Sequence, residues 1–303
     1  MPNAKVLESK KAVVETLTGK IKEATSVVFV DYKGITVAQD AALRKQFRDA
    51  GVEYAVVKNT LTRFAAKENG YDFLALTDHR IYNYKNYAQD VDITIVPGTE
   101  YDRTFEKGKG FRCFHQVCIG PDDETNGYKH GEELPRCEYN TQEEFQAFLD
   151  EAHQKNNLTI YCHPQWSSTP PRYFDKLKGN FAMEIWNSGC AIECNMDTDN
   201  GMYWDELLGQ GQLIYAVATD DGHPMYQHCK GWVMVNAENN VGDILNALEE
   251  GAFYSSCGPI IKDFYVDDEG VAHIEASECE KIIFQCDKHP SRMVASEGEP
   301  LTS

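Results

Sequence analysis

The chain of 303 residues is long enough for one large α/β barrel or for two domains, and its 42% hydrophobic and 11% aromatic content excludes a disordered chain. Residues 1–70 hold 12 Lys and Arg against 8 Asp and Glu, and the remainder 17 against 40, so the net charge of -19 averages two unlike parts. A mildly basic head suits nucleic acid and a strongly acidic body does not.

No apolar run approaches the roughly 18 residues of a membrane span, and no signal-peptide core opens the chain, so a cytoplasmic protein is expected. All 10 Cys, all 9 His and all 4 Trp lie after residue 70. The cysteines form no CxxC pair and fit no zinc knuckle; free, mostly buried thiols are expected.

In chain order, residues 4–24 carry apolar positions at helical spacing with Lys on the other face. A short apolar run from Ser26 to Asp31 predicts a buried strand. Thr36-x-x-Gln39 is a capping box that opens a helix to about Ala50, which Gly51 ends. Glu53 to Lys58 predicts a second strand, and Thr60 to Asn69 a helix closed by Gly70. The head is thus α-β-α-β-α and runs without a linker into a further strand, Asp72 to Thr77. Beyond it, strand-like and helix-like segments alternate at 91–96, 111–119, 142–153, 157–162, 172–178, 181–186, 203–208, 213–218, 231–235 and 241–249, with a β-rich tail from 260 to 285. Such alternation predicts an α/β sheet or barrel.

Six short motifs fall at predicted strand ends, where α/β folds place their sites. They are Thr77-Asp78-His79, Pro97-Gly98-Thr99-Glu100, Phe114-His115, Tyr161-Cys162-His163-Pro164, Glu184-Ile185-Trp186-Asn187 and Thr219-Asp220-Asp221-Gly222-His223. Each sets a His or a carboxylate against an apolar strand, so the side chains could share one rim. Imidazole and carboxylate together suit Mn, Fe or Zn. His130, His153, His228, His273 and His289 lack that setting and are expected at the surface.

The run GYDFLALTDH (70–79), the Gly98-x-Glu100 pair, His163-Pro164 and Asp221-x-His223 resemble the ordered motifs of the polymerase-and-histidinol-phosphatase (PHP) family of metallohydrolases. GAFYSSCGPIIKDFYVD (251–267) is similar to its small-molecule phosphoesterase branch. The resemblance covers residues 71–303 and implies a distorted (β/α)7-type barrel with divalent metal ions that hydrolyses a small phosphate ester. It also implies that Glu100, His115 and His163 hold one ion and His79 and His223 a second, while Asp221 with Glu100 contributes to a third. Glu100, Asp221 and His223 would then be the catalytic residues. The family's opening His-x-His motif is missing, since no His precedes residue 79. Lys58 and Asn59 would stand in its place, where an ammonium repels cations, so fewer ions than the family's full set are expected.

Residues 1–70 resemble the start of the tenth large-subunit ribosomal protein, the base of the ribosomal stalk. The matching stretches are AKVLESKKAVVETLTGKIKEA, SVVFVDYKGITVAQDAALRKQFRDAGVEY and VVKNTLTRFAA. That resemblance implies contact with ribosomal RNA, and Lys5, Lys10, Lys11, Lys58 and Arg63 are the cations placed to meet phosphates. Three readings follow. The chain is a PHP-type hydrolase with an impaired site, or a stalk-base protein with a foreign C-terminal part. The third is a join made by recombination or gene-assembly error that has no function of its own.

Overall fold

A computed structural model describes residues 66–67, 69–85, 91–103, 113–135, 141–194, 200–223, 227–285, 292–296 and 298–303. The expectations placed on residues 1–65, with Lys5, Lys10, Lys11, Lys58, Asn59 and Arg63 among them, lie outside the described residues, as does His289.

The described chain opens on a helix end. Gly70 N donates to Lys67 O at 3.0 Å and Tyr71 N to Ala66 O at 3.0 Å, the paired bonds that close a helix through a left-handed residue. Gly70 supplies that residue, at φ +90°. The chain then passes directly into strand β1 (Phe73–Ala75), which pairs in parallel with β2 (Thr94–Val96). Ala66 packs beside Val91, Ile93 and Ile95, so this helix end and the β1–β2 pair share a small core.

The central sheet has five strands in chain order: β3 (Gly98–Arg103), β4 (Phe114–Ile119), β5 (Leu158–Tyr161), β6 (Asn180–Asn187) and β7 (Tyr215–Thr219). β3, β4 and β5 are successively antiparallel, and β5, β6 and β7 are parallel. One rim therefore collects the ends of β3, β5, β6 and β7 and the beginning of β4. Among the described residues no sheet closes into a barrel.

Alternation along the strands sorts side chains to two faces. Tyr101, Phe114, Cys118, Tyr161 and Met183 face one side, together with Phe145, Phe148 and Leu149 of α1 (Gln142–Gln154) and Leu207 of α3 (Gly201–Gly209). Tyr101 stacks on Phe148 with ring centroids 3.9 Å apart. Ile119, Ile160, Ala182 and Val217 face the other side with Ile244 and Leu248 of α4 (Val241–Glu249). α1 begins at Thr141, whose side chain accepts from Glu144 N at 3.2 Å, a cap that satisfies one of the free N–H groups of the first turn. Between β6 and β7 lies the short α2 (Ser188–Cys194).

β8 (Trp232–Val235) and β9 (Phe253–Ser256) flank α4 as an antiparallel pair. Two hairpins follow, β10 (Ile261–Val266) with β11 (Ala272–Ala276) and β12 (Lys281–Phe284) with β13 (Arg292–Ala295). No helix of the described residues is long and apolar enough to cross a membrane.

Three expectations need correction. Residues 172–178 hold only the end of a 3-10 turn, Pro171–Tyr173, and then turns: Phe174 N and Asp175 N both donate to Pro171 O, at 2.8 and 2.7 Å, and no longer helix or strand follows within them. Of the seven cysteines whose burial is described, Cys118, Cys162 and Cys190 are buried, Cys113, Cys229 and Cys279 are half-buried and Cys257 is exposed. His130, His153, His228 and His273 are half-buried rather than at the surface: His130 Nδ1 accepts from Tyr84 N at 3.2 Å, His153 Nε2 pairs with Thr159 Oγ1 at 3.1 Å, His228 packs over Gly222, and His273 Nε2 pairs with Asp267 Oδ2 at 2.8 Å.

Candidate metal centre

The rim assembles from side chains on the α4 face of the sheet. In β3, Thr99 and Tyr101 point to the α1 core, so Glu100 and Asp102 take the other face. Pro97 and Gly98 resemble a strand break in the sequence, yet β3 begins at Gly98 and places Glu100 within the strand, 6% exposed. His115 is the second residue of β4 rather than the last. It reaches the rim because β4 runs antiparallel to its neighbours and starts where β5 ends. Cys162 N donates to His115 O at 3.1 Å across that junction.

His115 Nδ1 lies 2.6 Å from Glu100 Oε1, and His163 Nε2 lies 3.4 Å from the same oxygen. Burial alone would push the His115 imidazolium down, but contacts with Cys113 and Glu100 outweigh it and raise it to about 10. Burial likewise opposes the Glu100 carboxylate, and the His115 and His163 rings overcome it and hold Glu100 below the usual carboxylate range. Nε2 of His115 is buried with no oxygen or nitrogen partner. Such an orphan acceptor or donor costs free energy unless something meets it.

His79 follows β1 and forms an isolated parallel bridge with Glu100. Its ring lies 5.7 Å from that of His115 and 6.2 Å from that of His223. Donor atoms of His79, Glu100 and His115 all fall within 4.8 Å of one another. His79, Glu100 and His115 thus form one trio with the spacing of a metal site, and the His163 ring, 4.9 Å from that of His115, stands against the same two residues.

His163 stands two residues past β5 at φ +28° and Asp221 two past β7 at φ +43°. Non-glycine residues hold such backbone only where neighbours fix it, and they concentrate at functional sites. Here the His163 N–H donates to Glu184 Oε2 at 2.8 Å, and Nδ1 pairs with Ser167 Oγ at 3.2 Å. Asn187 Nδ2 donates to both Glu184 Oε2 and Asp221 Oδ2 at 3.0 Å, and Thr219 Oγ1 donates to Glu184 Oε1 at 2.7 Å. Burial raises Glu184, with His163 opposing and Asp221 adding. Burial also raises Asp221, reinforced by the Glu100 charge. The buried Glu100 and Glu184 carboxylates and the half-buried Asp221 thus surround the His163 imidazole.

His223 is the most open of the six, its side chain 61% exposed, with Nδ1 3.1 Å from the Asp221 carbonyl oxygen. Asp220 turns away from the trio and accepts from Cys229 N, Lys230 N and Gly231 N at 2.6, 2.8 and 2.9 Å, which pins the loop after β7. The rim opens onto a cavity of about 1510 Å³ whose lining includes His79, Glu100, His163, Glu184, Asp221 and His223.

Sequence spacing missed several neighbours. Asp102 Oδ1 lies 3.6 Å from His79 Nδ1, Trp166 packs with ring centroids 4.9 Å from His163, and Glu184 and Asn187 link His163 to Asp221. Glu184 and Asn187 stand in a motif that the strand-end pattern does pick out, though it assigns them no ligand. Asp102 and Trp166 carry no periodic signal, because the strand pairing and the turn after β5 alone bring them to the rim.

Residues 5–82 match the family described as Ribosomal protein L10. The large ribosomal subunit protein uL10 of Shouchella clausii is 46% identical over 94 residues, 31% of this chain and 55% of that protein. The uL10 of Bacillus licheniformis is 50% identical over 68 residues (22% and 41%), and that of Staphylococcus carnosus 48% over 69 residues (23% and 42%). The chain spans about half the length of the curated relatives it matches. The family match ends at residue 82 and so takes in β1 and His79.

Proposed function

We propose that residues 71–303 act as a metal-dependent phosphoesterase of the PHP type, on an opened PHP-like barrel, with a small phosphate ester as substrate and fewer ions than that family's full set. The observation that supports it is the convergence of His79, Glu100 and His115 within 4.8 Å, with His163 also touching Glu100. The donor set fits a divalent ion. Nitrogen and carboxylate ligands suit Zn, Mn or Fe, and Nε2 of His115 is buried with no oxygen or nitrogen partner.

His79, Glu100 and His115 would hold such an ion, with His163 beside it and Asp221 and His223 at the open edge. A bound divalent ion would supply an acidified water and stabilise the charge that develops at phosphorus. The chain's own part is positional. Glu184 and Asn187 lock the backbone of His163 and the carboxylate of Asp221, and the exposed His223 is placed to meet a substrate entering from solvent. Metal analysis with a generic phosphodiester assay tests this reading. His115→Ala is expected to lose both bound metal and turnover, and equal activity in the two proteins removes it.

The match over residues 5–82 favours a second reading for that part: a ribosomal segment that contacts large-subunit RNA through Lys5, Lys10, Lys11, Lys58 and Arg63. Shared sequence supports this reading more directly than geometry supports the first, and the two overlap at residues 71–82, which include His79. The name of the relatives places them in the ribosome; for this chain, ribosomal RNA as a partner and a cytoplasmic location are part of the proposal. Binding of ribosomal RNA, titrated against salt, tests it.

A further inference from the structure

We propose that Asp102 is the positioning residue for His79, turning the imidazole so that its Nε2 faces Glu100 and His115. This rests on the metal-centre reading above and goes on to say how its most exposed inner ligand is aimed. In the β3–β4 register Asp102 lies opposite His115 and two residues from Glu100, so the three share one face of the pair.

Asp102 Oδ1 accepts from Arg80 Nε at 3.2 Å and stands 3.6 Å from His79 Nδ1. Arg80 in turn donates through Nη1 to Glu133 Oε1 at 3.0 Å. The order Glu133–Arg80–Asp102–His79 is therefore a chain of alternating charge ending on the imidazole. Its middle is rigid. Arg80 sits at φ +59°, its N–H donates to Glu100 O at 2.8 Å, and its carbonyl accepts from Leu134 N at 2.7 Å. Those bonds keep a left-handed Arg in place.

The need for such a device shows in exposure. The His79 side chain is 49% exposed and the Asp102 side chain 13%. A half-open imidazole rotates freely unless something fixes one nitrogen. The nitrogen that faces a carboxylate keeps its proton, which leaves the other lone pair for a metal. Asp102 thus selects both the ring orientation and the tautomer of His79.

Zinc titration of the 303-residue chain, followed by long-range proton–nitrogen NMR of the histidine rings, tests this without any variant. Expected is zinc on Nε2 of His79 with the proton on Nδ1. Zinc on Nδ1 overturns the proposal while leaving the metal centre standing. Asp102→Ala is expected to weaken zinc binding about 10- to 100-fold, and Asp102→Asn, whose carbonyl oxygen still accepts from Nδ1–H, to recover most of that loss. Unchanged zinc affinity in folded Asp102→Ala also overturns it. Absence of zinc binding by the unaltered chain removes the metal-centre reading and the role of Asp102 together.

Discussion

The contact between His115 and Glu100 sets the pH behaviour of the rim. Without metal, His115 is held up to about 10 and Glu100 below the usual carboxylate range. A His raised above its unfolded value of about 6.5 contributes stability that is fully present below that value and is lost as pH climbs through about 10. A depressed Glu contributes stability present above its unfolded value of about 4.3 and lost as pH falls. A metal ion must displace the His115 proton, so acid opposes binding across the neutral range. Zinc affinity is therefore expected to rise about tenfold per pH unit from pH 7 to pH 9, one proton leaving per ion. Calorimetric titration in buffers of different ionisation enthalpy would show the released proton. A pH-independent affinity would mean that the ion does not use His115. At this scale the sequence carries much of the site, because His79, Glu100, His115, His163, Asp221 and His223 each adjoin an apolar strand in the linear chain. It is silent on Asp102, whose partners Arg80 and His79 lie 22 and 23 positions away and meet it only through strand pairing.

Elements decide how those residues reach one rim, and some of that is hidden from linear pattern. The ends of β5, β6 and β7 follow from apolar runs closed by polar residues, and α1 from its capped, amphipathic span. β3 is hidden because Pro97 and Gly98 resemble a break, although Gly98 is where the strand begins. The place of His115 at the beginning of β4 is hidden too, since antiparallel order is a property of the sheet and not of the segment. The loop after β7 depends on close backbone approach. Gly189 N donates to Asp220 O at 2.7 Å, and a Cβ at Gly189 would lie 2.5 Å from Asp221 O. Gly189→Ala must therefore move either the first turn of α2 or the loop that carries Asp221. We expect a loss of about 1–3 kcal/mol in folding stability, read by urea denaturation, together with weakened metal binding. A variant as stable as the unaltered chain, with the same zinc affinity, would show that the loop has slack the packing does not suggest. At Asn240, by contrast, the side chain accepts from Asp243 N at 3.0 Å in a simple cap, and Asn240→Ala is expected to cost about 1 kcal/mol and leave metal binding unchanged.

On the scale of the whole molecule the two parts work against each other. The acidic body, with 40 Asp and Glu against 17 Lys and Arg after residue 70, concentrates cations at its rim and repels a phosphate backbone. The same charge that favours a metal ion therefore disfavours RNA. For the rim, a chain without the opening His-x-His motif is expected to keep about one divalent ion after dialysis against weak chelator, counted by elemental analysis. Two or more tightly held ions with brisk turnover would mean that another part of the chain completes the set. For the head, the five cations Lys5, Lys10, Lys11, Lys58 and Arg63 bound the number of phosphates neutralised. Five contacts would give a slope of log affinity on log salt of about -4 on single- or double-stranded RNA segments. Salt also screens the repulsion from the body, which flattens that dependence. The expected slope is therefore negative and no steeper than about -4, measured by filter binding of ribosomal RNA to the 303-residue chain from low to physiological salt. A slope steeper than that would require cations beyond those five, such as the other seven Lys and Arg of residues 1–70, and binding with no salt dependence at all would end the ribosomal RNA reading, because a contact made by Lys and Arg on phosphate must release counterions.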